Sequence, residues 1–110
     1  MIAEKELQEM RNALEKAENP LVFFDDDPDG LVSYLLLKRK YEKCQGIPLK
    51  VSMRDESLYY TVLEDKNPDL VVILDRAEVS QELIDHIRAP VVWLDHHPPV
   101  KRTGVKYYNP

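Results

Sequence analysis

Apolar positions along the chain follow two different periods. From Glu4 to Glu18, Leu7, Met10, Leu14 and Ala17 recur at helical spacing with charges between them, and Asn19-Pro20 breaks the pattern, which predicts an amphipathic helix. Leu21-Val22-Phe23-Phe24 is continuously apolar and stops abruptly at Asp25-Asp26-Asp27-Pro28-Asp29-Gly30, as a buried strand running into an acidic turn would. A second helix is expected from Leu31 to Cys44. It is apolar at Leu31, Tyr34, Leu35, Leu37 and Tyr41, basic late at Lys38, Arg39, Lys40 and Lys43 where the helix dipole favours cations, and ended by Gln45-Gly46. Leu49-Lys50-Val51-Ser52-Met53 alternates like a half-buried strand and leads into Arg54-Asp55-Glu56, after which Ser57 to Asp65 fits either a short helix or a loop. Leu70 to Leu74 is a fully apolar strand ending at Asp75, and Ser80 is placed to cap a helix carrying Leu83, Ile84 and Ile87. Val91 to Leu94 repeats the strand pattern and ends at Asp95-His96-His97-Pro98-Pro99, and Val105 to Tyr108 offers a last alternation.

Strands alternating with helices of ten or so residues imply right-handed βαβ units, hence an α/β fold: a parallel sheet with helices on both faces. No repeat, low-complexity stretch or long linker interrupts the pattern, so one α/β domain is expected over residues 1–110. A chain of 110 residues buries somewhat over half of its unfolded surface, so a single core forms and any large cleft lies at its edge.

Charge and cysteine content narrow the function classes. The 15 Lys and Arg against 20 Asp and Glu leave a net charge of −5, which argues against a sequence-blind basic clamp on nucleic acid. Carboxylates that hold divalent cations would make the occupied site far less negative. The basic group at 38 to 43 reads as a solvated helix face, and so does His86. Cys44 stands alone, without a disulfide partner or a zinc-type pair, which suits a reducing, cytoplasmic setting. The N-terminus has no apolar leader, and Leu31 to Leu37 is far short of the roughly 20 residues of a membrane span. Neither secretion nor membrane insertion is expected.

The candidate chemistry lies where the strands end. In an open parallel sheet all carboxyl ends share one edge, where ligands collect. Asp25, Asp27, Asp29, Asp75, Asp95, His96 and His97 are therefore expected to converge. Each piece alone has a plainer explanation: an acidic turn at 25 to 30, a helix cap at Asp75, a polar turn at His96-His97. A calcium loop of the EF-hand kind is discounted, since its twelfth position would be Leu36 rather than Glu. Together the strand-ending acids point to a metal site, because so many carboxylates repel unless cations or protons relieve them. Oxygen and imidazole donors suit Mn²⁺ or Mg²⁺ better than structural zinc, and Asp75, on the middle strand, is placed to bridge two ions about 3.5–4 Å apart. Arg54 and Arg76, each beside a strand end, are candidate phosphate clamps or else salt-bridge residues.

Asp27-Pro28-Asp29-Gly30 after a buried strand, Asp75 ending the next apolar strand, and Asp95-His96-His97-Pro98 ending another resemble the first three motifs of the DHH phosphoesterase family, most closely its archaeal RecJ-like exonuclease branch. The resemblance runs from Leu21 onward and implies a partial DHH domain. It implies a two-manganese centre that hydrolyses phosphodiester or phosphoanhydride bonds, with Asp27, Asp29, Asp75, Asp95, His96 and His97 at metal-associated positions. It also implies an exonuclease acting on single-stranded DNA or RNA, or a relative that acts on another phosphate ester, with DNA replication or repair proteins as partners. Two departures stand out. The family usually carries a His shortly before its Asp-x-Asp pair, where this chain has Asp25. Family members also continue to a fourth motif and a C-terminal substrate-binding domain, so the chain is expected to be the N-terminal part of such a protein. The alternatives are a non-catalytic truncated module that associates with itself or another protein, and a small-molecule phosphatase or pyrophosphatase.

Overall fold

The computed structural model describes residues 4–50, 55–95 and 101–108. The elements are α1 (Glu4–Lys16), β1 (Pro20–Asp25), α2 (Pro28–Lys40), β2 (Gln45–Leu49), α3 (Ser57–Lys66), β3 (Leu70–Leu74), α4 (Gln81–His86), β4 (Val91–Leu94) and β5 (Lys106–Tyr108). The five strands form one sheet in the order β2-β1-β3-β4-β5, with every neighbouring pair parallel. The α/β class expected from the alternation of periods is the one observed.

Side chains alternate between the two faces of the sheet, so each central strand feeds two cores. Leu21, Phe23, Val71, Ile73, Val91 and Trp93 face α3 and α4, where they meet Tyr59, Leu83 and Ile84. Val22, Phe24, Val72, Leu74 and Val92 face the other way, onto Leu14 and Ala17 from the α1 end and Tyr34 and Leu37 from α2. Strands β1 and β3 are buried along their whole length because both faces are covered. This is why they read as unbroken apolar runs.

The second strand corrects the sequence reading. It occupies Gln45–Leu49 rather than 49 to 53, and α2 ends at Lys40 rather than Cys44; Val51 to Arg54 lie outside the described residues. Gly46 and Pro48 concealed the strand, since both are poor strand residues. At the sheet's edge Pro48 loses no ladder partner on its open side. Gly46 is needed because the Tyr34 ring lies over it, where a Cβ would sit 2.3 Å from the ring; that ring in turn stacks on Phe24 at 4.5 Å. Beyond the end of α2, Lys38 donates to the Cys44 carbonyl at 2.7 Å and to the Glu42 carbonyl, which ties down the turn leading into β2.

The undecided stretch after Ser57 is helix α3, ended by Asn67 in the left-handed region at φ 46°. Ser80 caps α4 as expected, its Oγ accepting from the Leu83 amide at 3.0 Å. Glu56 ties the starts of these two helices together by accepting from the Ser80 amide at 2.9 Å and from its hydroxyl.

The connections position the site. From β1 the chain leaves through α2 on one face to reach β2, and from β3 it leaves through α4 on the opposite face to reach β4. Between the C-terminal ends of β1 and β3 the helices therefore depart in opposite directions, which opens a crevice where doubly wound sheets place their ligands.

Candidate metal centre

Asp25 is the last residue of β1, Asp27 caps α2, and Asp75 follows β3, so three carboxylates from three separate elements meet in that crevice. One carboxylate oxygen from each lies within 4.8 Å of the others. Asp25 and Asp75 are 4% and 5% exposed. At that separation and an effective dielectric of about 20, each pair of ionised carboxylates repels by roughly 3 kcal/mol.

Local geometry holds each acid in place. Asp27 has extended backbone (φ −77°, ψ 169°), and its Oδ1 accepts from the Gly30 amide at 2.8 Å, closing the first turn of α2. Pro28 supplies the fixed φ suited to a first helical position. Gly30 allows α2 to start directly against β1: a Cβ there would stand 2.0 Å from the Asp25 carbonyl oxygen. The positive end of the helix dipole thus lies beside the acids, where it favours their charge. Asp75 has φ 58°, a left-handed conformation that Asp tolerates better than most residues, and its amide donates to the Leu94 carbonyl at 2.9 Å.

That reversal at Asp75 sends Arg76 inward. The Arg76 guanidinium is buried and donates through Nη1 to Asp25 Oδ1 at 2.8 Å and to the Lys50 carbonyl at 3.0 Å, while its own carbonyl accepts from the Trp93 indole at 3.0 Å. Burial works against the Arg76 charge, but Tyr59 and Asp25 outweigh it and raise its pKa above the ordinary guanidinium value. The neighbouring Tyr59 phenol is pushed up to about 12 by burial, against the pull of Arg76, so it stays protonated. One guanidinium offsets one carboxylate of three. The remaining charge and the all-oxygen donor set fit a hard divalent cation.

The structure thus joins Asp25, Asp27 and Asp75, as expected from the strand ends. Asp95 is also buried at the end of β4, but it falls outside the three-residue group. Asp29 is exposed in the first turn of α2 and falls outside it as well. Arg76 is an internal partner of Asp25, in a buried ion pair rather than at an open edge. Arg54, His96 and His97 lie outside the described residues.

Sequence reasoning missed the Asp25–Arg76 pair and the supporting roles of Tyr59 and Trp93. The adjacency of Arg76 to a strand-ending acid was visible, but its direction depends on the backbone reversal at Asp75, which no spacing rule gives. No protein-family model and no curated protein matches this chain.

Proposed function

We propose that the protein is a metal-dependent phosphoesterase whose cations, Mn²⁺ or Mg²⁺, are held in part by Asp25, Asp27 and Asp75. The observation that carries this reading is the meeting of three carboxylates, from β1, α2 and β3, within 4.8 Å at the crevice of a parallel sheet. Ions bound there supply Lewis acidity toward a phosphoryl oxygen and lower the pKa of water. The chain's own residues do the positioning. Arg76 fixes the orientation of Asp25 and Gly30 fixes that of Asp27 through its amide. Asp95, at the end of β4, and His96 and His97, which follow it in sequence, would add donors, and His96 or His97 would contact the phosphate or assist proton transfer to the leaving group. The substrate is the end of a single-stranded DNA or RNA, in keeping with the resemblance to RecJ-like exonucleases.

Titrating the chain with Mn²⁺ while following its melting temperature tests the metal site, since ligand at a hundred times Kd stabilises the folded state by about 2.7 kcal/mol. A rise of several degrees in millimolar Mn²⁺ that Asp75→Asn removes is expected; no rise refutes the site. Release of nucleotides from short single strands in the presence of Mn²⁺ is the reaction expected of the complete protein. Hydrolysis of pyrophosphate or simple phosphate esters alone would instead select the small-molecule alternative, and binding without turnover the non-catalytic one.

A further inference from the structure

The α2 helix carries more apolar surface outward than its place in the fold accounts for. Leu31, Val32, Leu35 and Leu36 are 45%, 55%, 53% and 64% exposed, whereas Tyr34, Leu37 and Tyr41 pack against the sheet. The two sets lie on opposite sides of one helix, so the outward set is a second apolar stripe with no counterpart within the described fold. Its ends differ in charge. Asp29 is exposed in the first turn and Arg39 in the last.

We infer that α2 pairs with α2 of a second copy of this chain, antiparallel about a two-fold axis. A stripe that is acidic at one end, apolar in the middle and basic at the other is complementary to its own reversed copy. One register places Val32 opposite Leu36 and Asp29 opposite Arg39, and the symmetry repeats each contact. The four positions lie on one side of the helix, since 29, 32, 36 and 39 are spaced by three and four residues. An anionic lipid surface fits less well, because Asp29 and the exposed Asp26 sit at the same end as Leu31 and Val32. With 13 residues, α2 is about 20 Å long. Such a strip buries a few hundred Å² on each copy, well below the roughly 800 Å² of a standard interface. The pairing is therefore weak. It brings Arg39 of the partner subunit next to Asp29, at the end of α2 that borders the acidic crevice. The inference is independent of the phosphoesterase reading.

Sedimentation equilibrium of the intact chain over micromolar to millimolar concentrations tests it. The weight-average mass is expected to rise toward the dimer at the upper end. Leu36→Asp, at an exposed position and checked for an unchanged circular dichroism spectrum, should keep the chain monomeric throughout. Arg39→Asp should weaken association at least threefold, and adding Asp29→Arg to it should restore the wild-type value. A wild-type chain that stays monomeric at every concentration overturns the inference and leaves the stripe to a different protein. A dimer that survives Leu36→Asp also overturns it, and so does a double charge exchange that fails to restore association.

Discussion

Replacing Gly30 with Ala sets two opposing effects against each other at the point where α2 meets β1. Gly30 lies in the first turn of a regular helix and is not in the left-handed region. Intrinsic helix propensity alone would therefore favour Ala by about 1 kcal/mol. The added Cβ, however, would lie 2.0 Å from the Asp25 carbonyl oxygen and 2.9 Å from its carbon, both backbone atoms of a buried central strand. Relief requires α2 to move outward by more than 1 Å, since neither atom can rotate away. Overpacking of this kind costs roughly 1–3 kcal/mol. The same movement stretches the 2.8 Å bond from the Gly30 amide to Asp27, a cap worth about 1 kcal/mol. Sterics and the lost cap outweigh propensity, so Gly30→Ala is expected to destabilise by about 2 kcal/mol. Urea denaturation at neutral pH reads this as a lower midpoint at unchanged slope. Because Asp27 moves with the helix, the Mn²⁺-induced rise in melting temperature should shrink as well. A variant as stable as the wild type would refute the close approach of α2 to β1.

Three further expectations rest on separate contacts. Arg76→Met removes the guanidinium paired with the buried Asp25 carboxylate and should cost about 3–5 kcal/mol, and millimolar Mn²⁺ should recover more stability in this variant than in the wild type because it restores a countercharge; equal recovery in thermal melts would count against a shared site. Asp75→Asn should leave the fold intact, since Asn also tolerates φ 58°, while Asp75→Ala should cost about 1 kcal/mol more through backbone strain, as paired urea titrations would show. Asp69 accepts from the Glu18 and Asn19 amides at 2.7 and 2.8 Å, and these bonds, the Glu18 amide foremost, lower its pKa. A carboxylate with a depressed folded-state pKa stabilises above its unfolded value of about 3.9 and loses that contribution as pH falls through the folded one. Its exposure keeps the effect small, so Asp69→Ala should cost about 1 kcal/mol at pH near 7 and clearly less at pH near 2; an equal cost at both would exclude the ionised form as the source.

Much of the fold was legible in the chain itself. The apolar runs at 21 to 24, 70 to 74 and 91 to 94 could satisfy their side chains only between two helical layers, so a parallel sheet with acids along one edge followed from period and burial alone. The capping serine of α4 was legible because it depends on residues within one turn, and the end of the first helix was legible to within two residues, expected at Glu18 and observed at Lys16. Strand β2 was not legible. Its Gly46 and Pro48 are acceptable only because the strand lies at the edge and a tyrosine ring needs the glycine's space, facts about neighbours distant in sequence. The site divides in the same way. That Asp25, Asp27 and Asp75 would meet was contained in the order of elements, because strand ends in a parallel sheet share an edge. Which of the edge acids come within 4.8 Å, and that an arginine turns inward to hold one of them, was decided by the tertiary structure. Those outcomes depend on a single backbone reversal at Asp75 and on where the helices cross the sheet, and neither is encoded in the spacing of residue types.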